Sequence, residues 1–209
     1  MKDVVLIGRP LAGKTCMAEI MSGGDAPTGY ISTVKPRKYD ADNGSWFFNL
    51  GKTIITDIGG NDQNLTTWKS HLLSSDEYEL MGNSFTFYVF DGNEFLKELD
   101  NHWAGGAIGA EIRNTLKKVY DNWRLAEYVK NDKNAKIYEL PANLYFIATH
   151  RDQCLIGDMK KEILNKMSDI QKEYPGRYFF YKKMMSTLHC INATDAEEVK
   201  DLFKHIVVE

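Results

Sequence analysis

Short runs of apolar, β-branched and aromatic residues alternate along this chain with longer stretches in which apolar residues recur every three or four positions. That pattern predicts strands separated by helices. Val4-Val5-Leu6-Ile7 opens the series as a strand, and a helix is predicted from Lys14 to Met21, stopped by Ser22-Gly23-Gly24-Asp25. The stretch from Thr28 to Asn43 is polar and reads as a mobile loop. After it, Trp46-Phe47-Phe48 and Thr53-Ile54-Ile55-Thr56, separated by Leu50-Gly51-Lys52, predict a hairpin. Phe85 to Phe90 and Leu144 to Ala148 are further strands, the second wholly apolar as in a parallel sheet covered on both faces, and Thr187 to Ile191 supplies the last.

Between the strands, Ile112, Leu116, Val119, Trp123 and Ala126 step along one face of a long helix. Met159, Ile163, Met167 and Ile170 repeat that spacing, and Val199, Leu202, Phe203 and Ile206 close the chain with it. All of these apolar positions read as core contacts. The sum is an α/β fold, a doubly wound, mostly parallel sheet with helices on both faces. In such sheets ligands sit beyond the carboxyl ends of the strands, so the loops after Ile7, Ile55, Ile147 and Ile191 are expected on one edge.

Length and charge narrow the picture. At 209 residues the chain is expected to form one domain over 1–209, with a core large enough to need no metal or disulfide staple. The net charge of -3, with acidic and basic residues interspersed, gives no single-sign field for nucleic acid, so no nucleic-acid partner is expected. The aromatic and basic segment from Tyr178 to Lys183 is the local exception, and a strand with a solvated edge is its plainer reading. Cys16, Cys154 and Cys190 are odd in number and without C-x-x-C spacing, which supports neither a disulfide framework nor a zinc site and fits a cytoplasmic setting. No apolar run reaches the roughly 18 residues that span a bilayer, and no lipidation motif stands at either end, so no direct membrane anchor is expected.

The chemistry begins at Gly8-Arg9-Pro10-Leu11-Ala12-Gly13-Lys14-Thr15, a full match to the phosphate-loop pattern G-x-x-x-x-G-K-[ST] placed between a strand and a helix. Glycines let backbone N–H groups turn inward around phosphate oxygens, Lys14 supplies a point charge for the β and γ phosphates, and the Thr15 hydroxyl is placed to ligate Mg²⁺. The helix after the loop adds its dipole. Beyond the strand ending at Thr56 stands Asp57-Ile58-Gly59-Gly60. An acid opposite the phosphate loop can hold Mg²⁺ through water, and a flexible glycine, Gly60, can sense the γ phosphate.

With these elements the chain resembles the Ras-like small GTPases over essentially its whole length. Asp57 to Gly60 is similar to the family's D-x-x-G element, in the double-glycine version of Arf and Gα proteins. Thr149-His150-Arg151-Asp152 resembles the guanine-specificity element N-K-x-D, in the T-H-x-D form typical of Roc domains. The resemblance implies that Asp152 accepts hydrogen bonds from the guanine N1–H and 2-amino group, which adenine cannot supply. Asn192-Ala193-Thr194-Asp195 resembles the fifth element, whose backbone amide meets the guanine carbonyl. The implied nucleotide-binding set is Gly8, Ala12, Gly13, Lys14, Thr15, Cys16, Gly60, Thr149, His150, Asp152, Ala193 and Thr194, with Mg²⁺ as cofactor. For the switch threonine that closes on the metal, Thr33 lies at the Ras spacing, 19 residues after Lys14, while Thr28 matches the Arf and Gα pattern. Thr33 is preferred, which makes Thr15, Thr33 and Asp57 the implied metal set and Lys14, Thr33 and Asn61 the implied catalytic set.

Departures from the family qualify what it lends. Asn61 stands where the water-orienting Gln is usual, and Gln63 reaches that place only if its segment refolds, so slow intrinsic hydrolysis is expected. Arg9 is a candidate for an internal arginine finger, with a solvated surface Arg as its plainer reading. Pro10 removes a backbone donor from the loop. His150 replaces the Lys that usually packs along the base and braces the phosphate loop, which implies weaker nucleotide binding. About thirty residues beyond the family norm separate Asp57 from Asp152, and they are assigned to inserted segments at 93–109 and 131–141. Three functions are open on the sequence. They are a GTP-hydrolysing switch read by effector and regulator proteins, a GTP- or GDP-binding module with little hydrolysis, and an ATP-dependent P-loop enzyme.

Overall fold

Val4 and Leu6 point to one side of the first strand and Val5 and Ile7 to the other, and that period of two organises the whole sheet. The computed structural model describes residues 2–29, 33, 35–41, 53–60, 84–100, 143–154, 157–173 and 184–208. Its elements are β1 (Lys2–Ile7), α1 (Lys14–Met21), β2 (Arg37–Asp40), β3 (Thr53–Asp57), β4 (Ser84–Asp91), α2 (Gly92–Asp100), β5 (Leu144–Thr149), α3 (Met159–Glu173), β6 (Leu188–Cys190) and α4 (Ala196–Phe203).

Among these residues one six-stranded sheet runs in the order β2-β3-β1-β4-β5-β6. All pairs are parallel except β2 with β3, where Tyr39 lies opposite Ile55. On one face Val5, Ile7, Tyr88, Phe90, Phe146 and Ala148 pack under α2 and α3. On the other, Val4, Leu6, Phe87, Val89 and Ile147 pack under α1 and α4. Both faces are thus sealed by helices, and the expected doubly wound architecture is what the chain adopts. Met17, Ala18, Ile20 and Met21 bury one side of α1, while Val199, Leu202 and Phe203 do the same for α4. The predicted bounds of α1 agree with the observed ones.

Two expectations need correction. The polar stretch from 28 to 43 contains β2, whose Arg37, Lys38 and Asp40 are exposed while only Tyr39 turns inward. A strand with a single described neighbour carries charge in this way, which leaves no apolar run to read. The last strand is shorter than Thr187–Ile191, because residues 184–187 are helical and only Leu188–Cys190 pairs with β5. Part of the segment assigned to an insertion at 93–109 is α2, whose Phe95, Leu96 and Leu99 are buried. Phe95 meets Phe90 edge to face at 5.2 Å. Its first turn is fixed by Asp91 Oδ1, which accepts from Asn93 N at 2.8 Å and Glu94 N at 3.1 Å. Trp46-Phe47-Phe48, the helix through Ile112 and Ala126, the segment 131–141 and the stretch 178–183 lie outside the described residues.

Candidate nucleotide-binding site

The loop between β1 and α1 curls because two of its residues take the left-handed backbone, Leu11 at φ 65° and Gly13 at φ 85°. Turns of this kind aim successive N–H groups into one concavity, an arrangement suited to anions. For Leu11 that backbone costs about 1–2 kcal/mol and leaves its side chain exposed at the loop tip. A cavity of about 320 Å³ opens above the loop, lined by residues 10–16 together with Pro27, Thr28, Gly29, Thr33, Gly60 and Thr194. Gly60 lies so close over the loop that a Cβ there would stand 2.3 Å from the backbone of Arg9 and Pro10.

Three oxygens converge at the cavity floor. Thr15 Oγ1 donates to Asp57 Oδ2 at 2.6 Å, Thr33 Oγ1 lies 3.0 Å from the same carboxylate oxygen, and the two hydroxyls are 2.8 Å apart. Asp57 is fully buried, and its Oδ1 has no hydrogen-bond partner among the described residues. A buried carboxylate oxygen left unmatched is expensive unless a cation or a cation-bound water completes it. The two hydroxyl oxygens, 2.8 Å apart, also suit adjacent positions around an octahedral Mg²⁺ with bonds of about 2.0–2.1 Å, with the carboxylate behind them to hold a metal-bound water. The residues present therefore fit that ion. Lys14 is likewise buried, with Nζ donating to Arg9 O at 2.5 Å, so the cation that opens α1 folds back over its own loop.

The turns after β5 and β6 flank this centre. Thr149 Oγ1 lies 3.1 Å from both Ala12 O and Phe90 O, which ties the start of the T-H-x-D segment to the phosphate loop and to β4. Its hydroxyl has one hydrogen for these two carbonyls, and its lone pair can accept from His150 Nδ1 at 3.1 Å. The His150 ring is also 3.3 Å from Asp91 Oδ2, while its backbone takes φ 60° and its carbonyl accepts from Asn93 Nδ2 at 2.9 Å. The bracing of the phosphate loop expected of a Lys at position 150 is thus made by the neighbouring Thr149. Asp152 follows in a 3-10 turn, Arg151–Gln153, and is exposed.

Ala193 comes against the phosphate loop from the other side. A Cβ on Gly13 would lie 2.8 Å from Ala193 Cβ, and Cys16 Sγ donates to Ala193 O at 3.0 Å. Burial first, and then Glu19, raise the Cys16 pKa, which keeps the thiol protonated as that donor. Thr194 is exposed, and both its N–H and its hydroxyl bond Asn192 Oδ1.

Of the residues singled out in the sequence, the fold brings together Ala12, Gly13, Lys14, Thr15, Cys16, Thr33, Asp57, Gly60, Thr149, Ala193 and Thr194. Gly8 sits beneath them, against β4. His150 and Asp152 stand at the rim, outside the cavity lining. Thr28 lines the cavity wall but is not part of the oxygen cluster. Asn61 lies outside the described residues. Two residues not singled out in the sequence also act here, Asp91 beside the His150 ring and Glu198, which bonds both Arg151 and Asn192 N. Each sits in a D-x-x-E run that opens a helix, Asp91 to Glu94 and Asp195 to Glu198, and that capping signature was there to be read.

No protein-family model matches the sequence, and no curated protein matches it either. Solved structures do match in fold. One is the Arl6 BBS3 small GTPase from Trypanosoma brucei with bound nucleotide analogue GppNp. It superposes with a TM-score of 0.51 over 98% of this chain and 94% of that one, at 15% identity. Another is a probable GTP-binding protein engB, with a TM-score of 0.54 over 99% and 98% of the two chains at 13% identity. The strand order among the described residues, the antiparallel pairing of β2 with β3 and these superpositions together give the chain the Ras-like P-loop GTPase fold.

Proposed function

We propose that this chain binds GTP and GDP with Mg²⁺, hydrolyses GTP slowly, and acts as a nucleotide-dependent switch. The observation that carries the reading is the meeting of Thr15, Thr33 and a half-satisfied, buried Asp57 beside the Lys14 loop. In this reading the loop amides and Lys14 hold the β and γ phosphates, Thr15 and Thr33 ligate the metal, and Asp57 holds it through water. Mg²⁺, when bound, offsets charge on the β and γ oxygens. As water adds to the γ phosphorus and the bridging P–O bond breaks, the charge passing to the leaving GDP oxygen is stabilised by Lys14 and by fixed N–H dipoles. Gly60 and Thr33 stand where the γ phosphate is sensed, so its loss would release both segments for effector and regulator proteins to read. The segments around 93–109 and 131–141 are the proposed source of partner specificity within a single G domain.

Phosphate release from GTP under single-turnover conditions tests the enzymatic part. Turnover above a Lys14→Ala control is expected, and equality with that control would contradict it. Asn61 favours the second reading, a module that holds nucleotide with little hydrolysis. On that reading GTP persists in the wild type and shortens its lifetime only in Asn61→Gln.

The proposed metal role assigns different consequences to the two candidate threonines. Thr33→Ala removes one oxygen from the cluster and is expected to weaken Mg²⁺-dependent GTP binding about tenfold while sparing GDP. Thr28→Ala should change neither, as read by competition against a fluorescent guanine nucleotide. The reverse ranking would move the role to Thr28.

Base choice rests on Asp152. Two charge-assisted hydrogen bonds are worth about 1.5–3 kcal/mol each, so Asp152→Ala should weaken GDP binding about a hundredfold or more. Weak ADP binding should be unaffected. Competition by both diphosphates checks this, and a variant that still prefers guanine would show that the base is read elsewhere.

A further inference from the structure

The base-side turns after β5 and β6 are joined by one carboxylate. Glu198 sits in the first turn of α4, where Asp195 is the N-cap and its Oδ1 accepts from Glu197 N at 3.0 Å and Glu198 N at 3.2 Å. In an ordinary capping box the acid three residues into the helix reaches back to the N–H of the cap residue. Here that N–H already donates to Asn192 O at 3.0 Å. Glu198 therefore reaches further. Its Oε2 accepts from Asn192 N at 2.8 Å, and its Oε1 is paired with the guanidinium of Arg151. One side chain thus grips the turn that carries Asp152 and the turn that carries Ala193. A backbone bond from Arg151 N to Ile191 O at 3.3 Å runs alongside.

We propose that Glu198 is a positioning residue for guanine recognition, clamping Arg151 and the Asn192 backbone so that Asp152 and the amide region of Ala193 face the base as one unit. The proposal rests on the guanine-nucleotide reading of the site. An ion pair as exposed as this one adds little to global stability. Its effect belongs to the geometry of two short turns, where a small displacement misaligns paired hydrogen bonds to the purine edge.

The test uses the full chain and the release of fluorescent GDP, together with competition by GDP and by inosine diphosphate, which lacks the 2-amino group. Glu198→Ala is expected to speed GDP release about tenfold and to reduce the preference for GDP over inosine diphosphate at least about threefold, with little change in Tm. Glu198→Gln keeps an acceptor for Asn192 N–H but loses the charge opposite Arg151, and should fall between. Arg151→Ala should have its own effect in the wild type and none in the Glu198→Ala background. Unchanged release and discrimination in Glu198→Ala would overturn the clamp. So would equal losses for both nucleotides alongside a large fall in Tm, or strict additivity of the two alanine variants. A wild type that binds no GDP would instead overturn the reading of the site beneath it.

Discussion

Lys14→Ala will lose tight binding of guanine nucleotides, by at least about a hundredfold in Kd, while the protein keeps its fold and loses none of its Tm. The first half follows from charge, since Lys14 is the cation at the mouth of the loop and hydrogen bonds to charged groups are worth about 1.5–3 kcal/mol each. Several phosphate oxygens would lose their partner together. The second half follows from burial. Lys14 is only 5% exposed, and its ammonium donates to the carbonyl of Arg9. A cation this buried is costly to hold out of water, and Ala is the better helix former at the start of α1. Removing the charge therefore relieves the empty protein as it disables the site. Thermal melts with and without GDP and Mg²⁺ separate the two, because only the wild type should gain Tm on adding nucleotide.

Gly8→Ala has the opposite signature, a loss of the fold from which the loss of binding follows. A Cβ at position 8 would lie 1.9 Å from the carbonyl oxygen of Val89 on the neighbouring strand, and the backbone there holds φ 132°, a region open to glycine alone. Neither neighbour can yield, since β1 and β4 are locked in parallel register from Asp3 opposite Ser84 to Ile7 opposite Tyr88, and Val89 is fully buried. The expected cost is about 3 kcal/mol or more, a large part of the stability of a domain of this size. Urea unfolding should show the midpoint fall sharply or no folded baseline at all. A Gly8→Ala protein as stable as the wild type would mean that the loop leaves β1 by a different path. Gly13→Ala shares the positive φ, but its obstacle is the side-chain methyl of Ala193, so it should be milder.

The sheet was legible because its buried strands are nearly continuous apolar runs. Val4–Ile7 and, apart from half-buried Tyr145, Leu144–Ala148 have no solvent face, and helices closing both sides leave nothing polar to confuse the period. The strand β2 was not legible for the same physical reason in reverse, since Arg37, Lys38 and Asp40 face solvent and mimic a loop. The candidate site divides in a similar way. Lys14, Thr15 and Asp57 stand in motifs that can be read from their spacing alone. The meeting of Thr33 with Thr15 and Asp57 is a tertiary contact, and spacing alone leaves the place open between Thr33 and Thr28. Asp91 and Glu198 were opaque as site residues because each acts on another residue. Their signals were capping runs, and those say that a turn is fixed without saying what it is fixed for.

Calorimetric titration of GDP and of ADP, each with Mg²⁺, into the folded chain addresses the central claim most directly. One equivalent of GDP is expected to bind at micromolar affinity or tighter, with ADP weaker by at least about a hundredfold. An absence of heat with GDP in well-folded protein, or equal affinities for the two nucleotides, would contradict it.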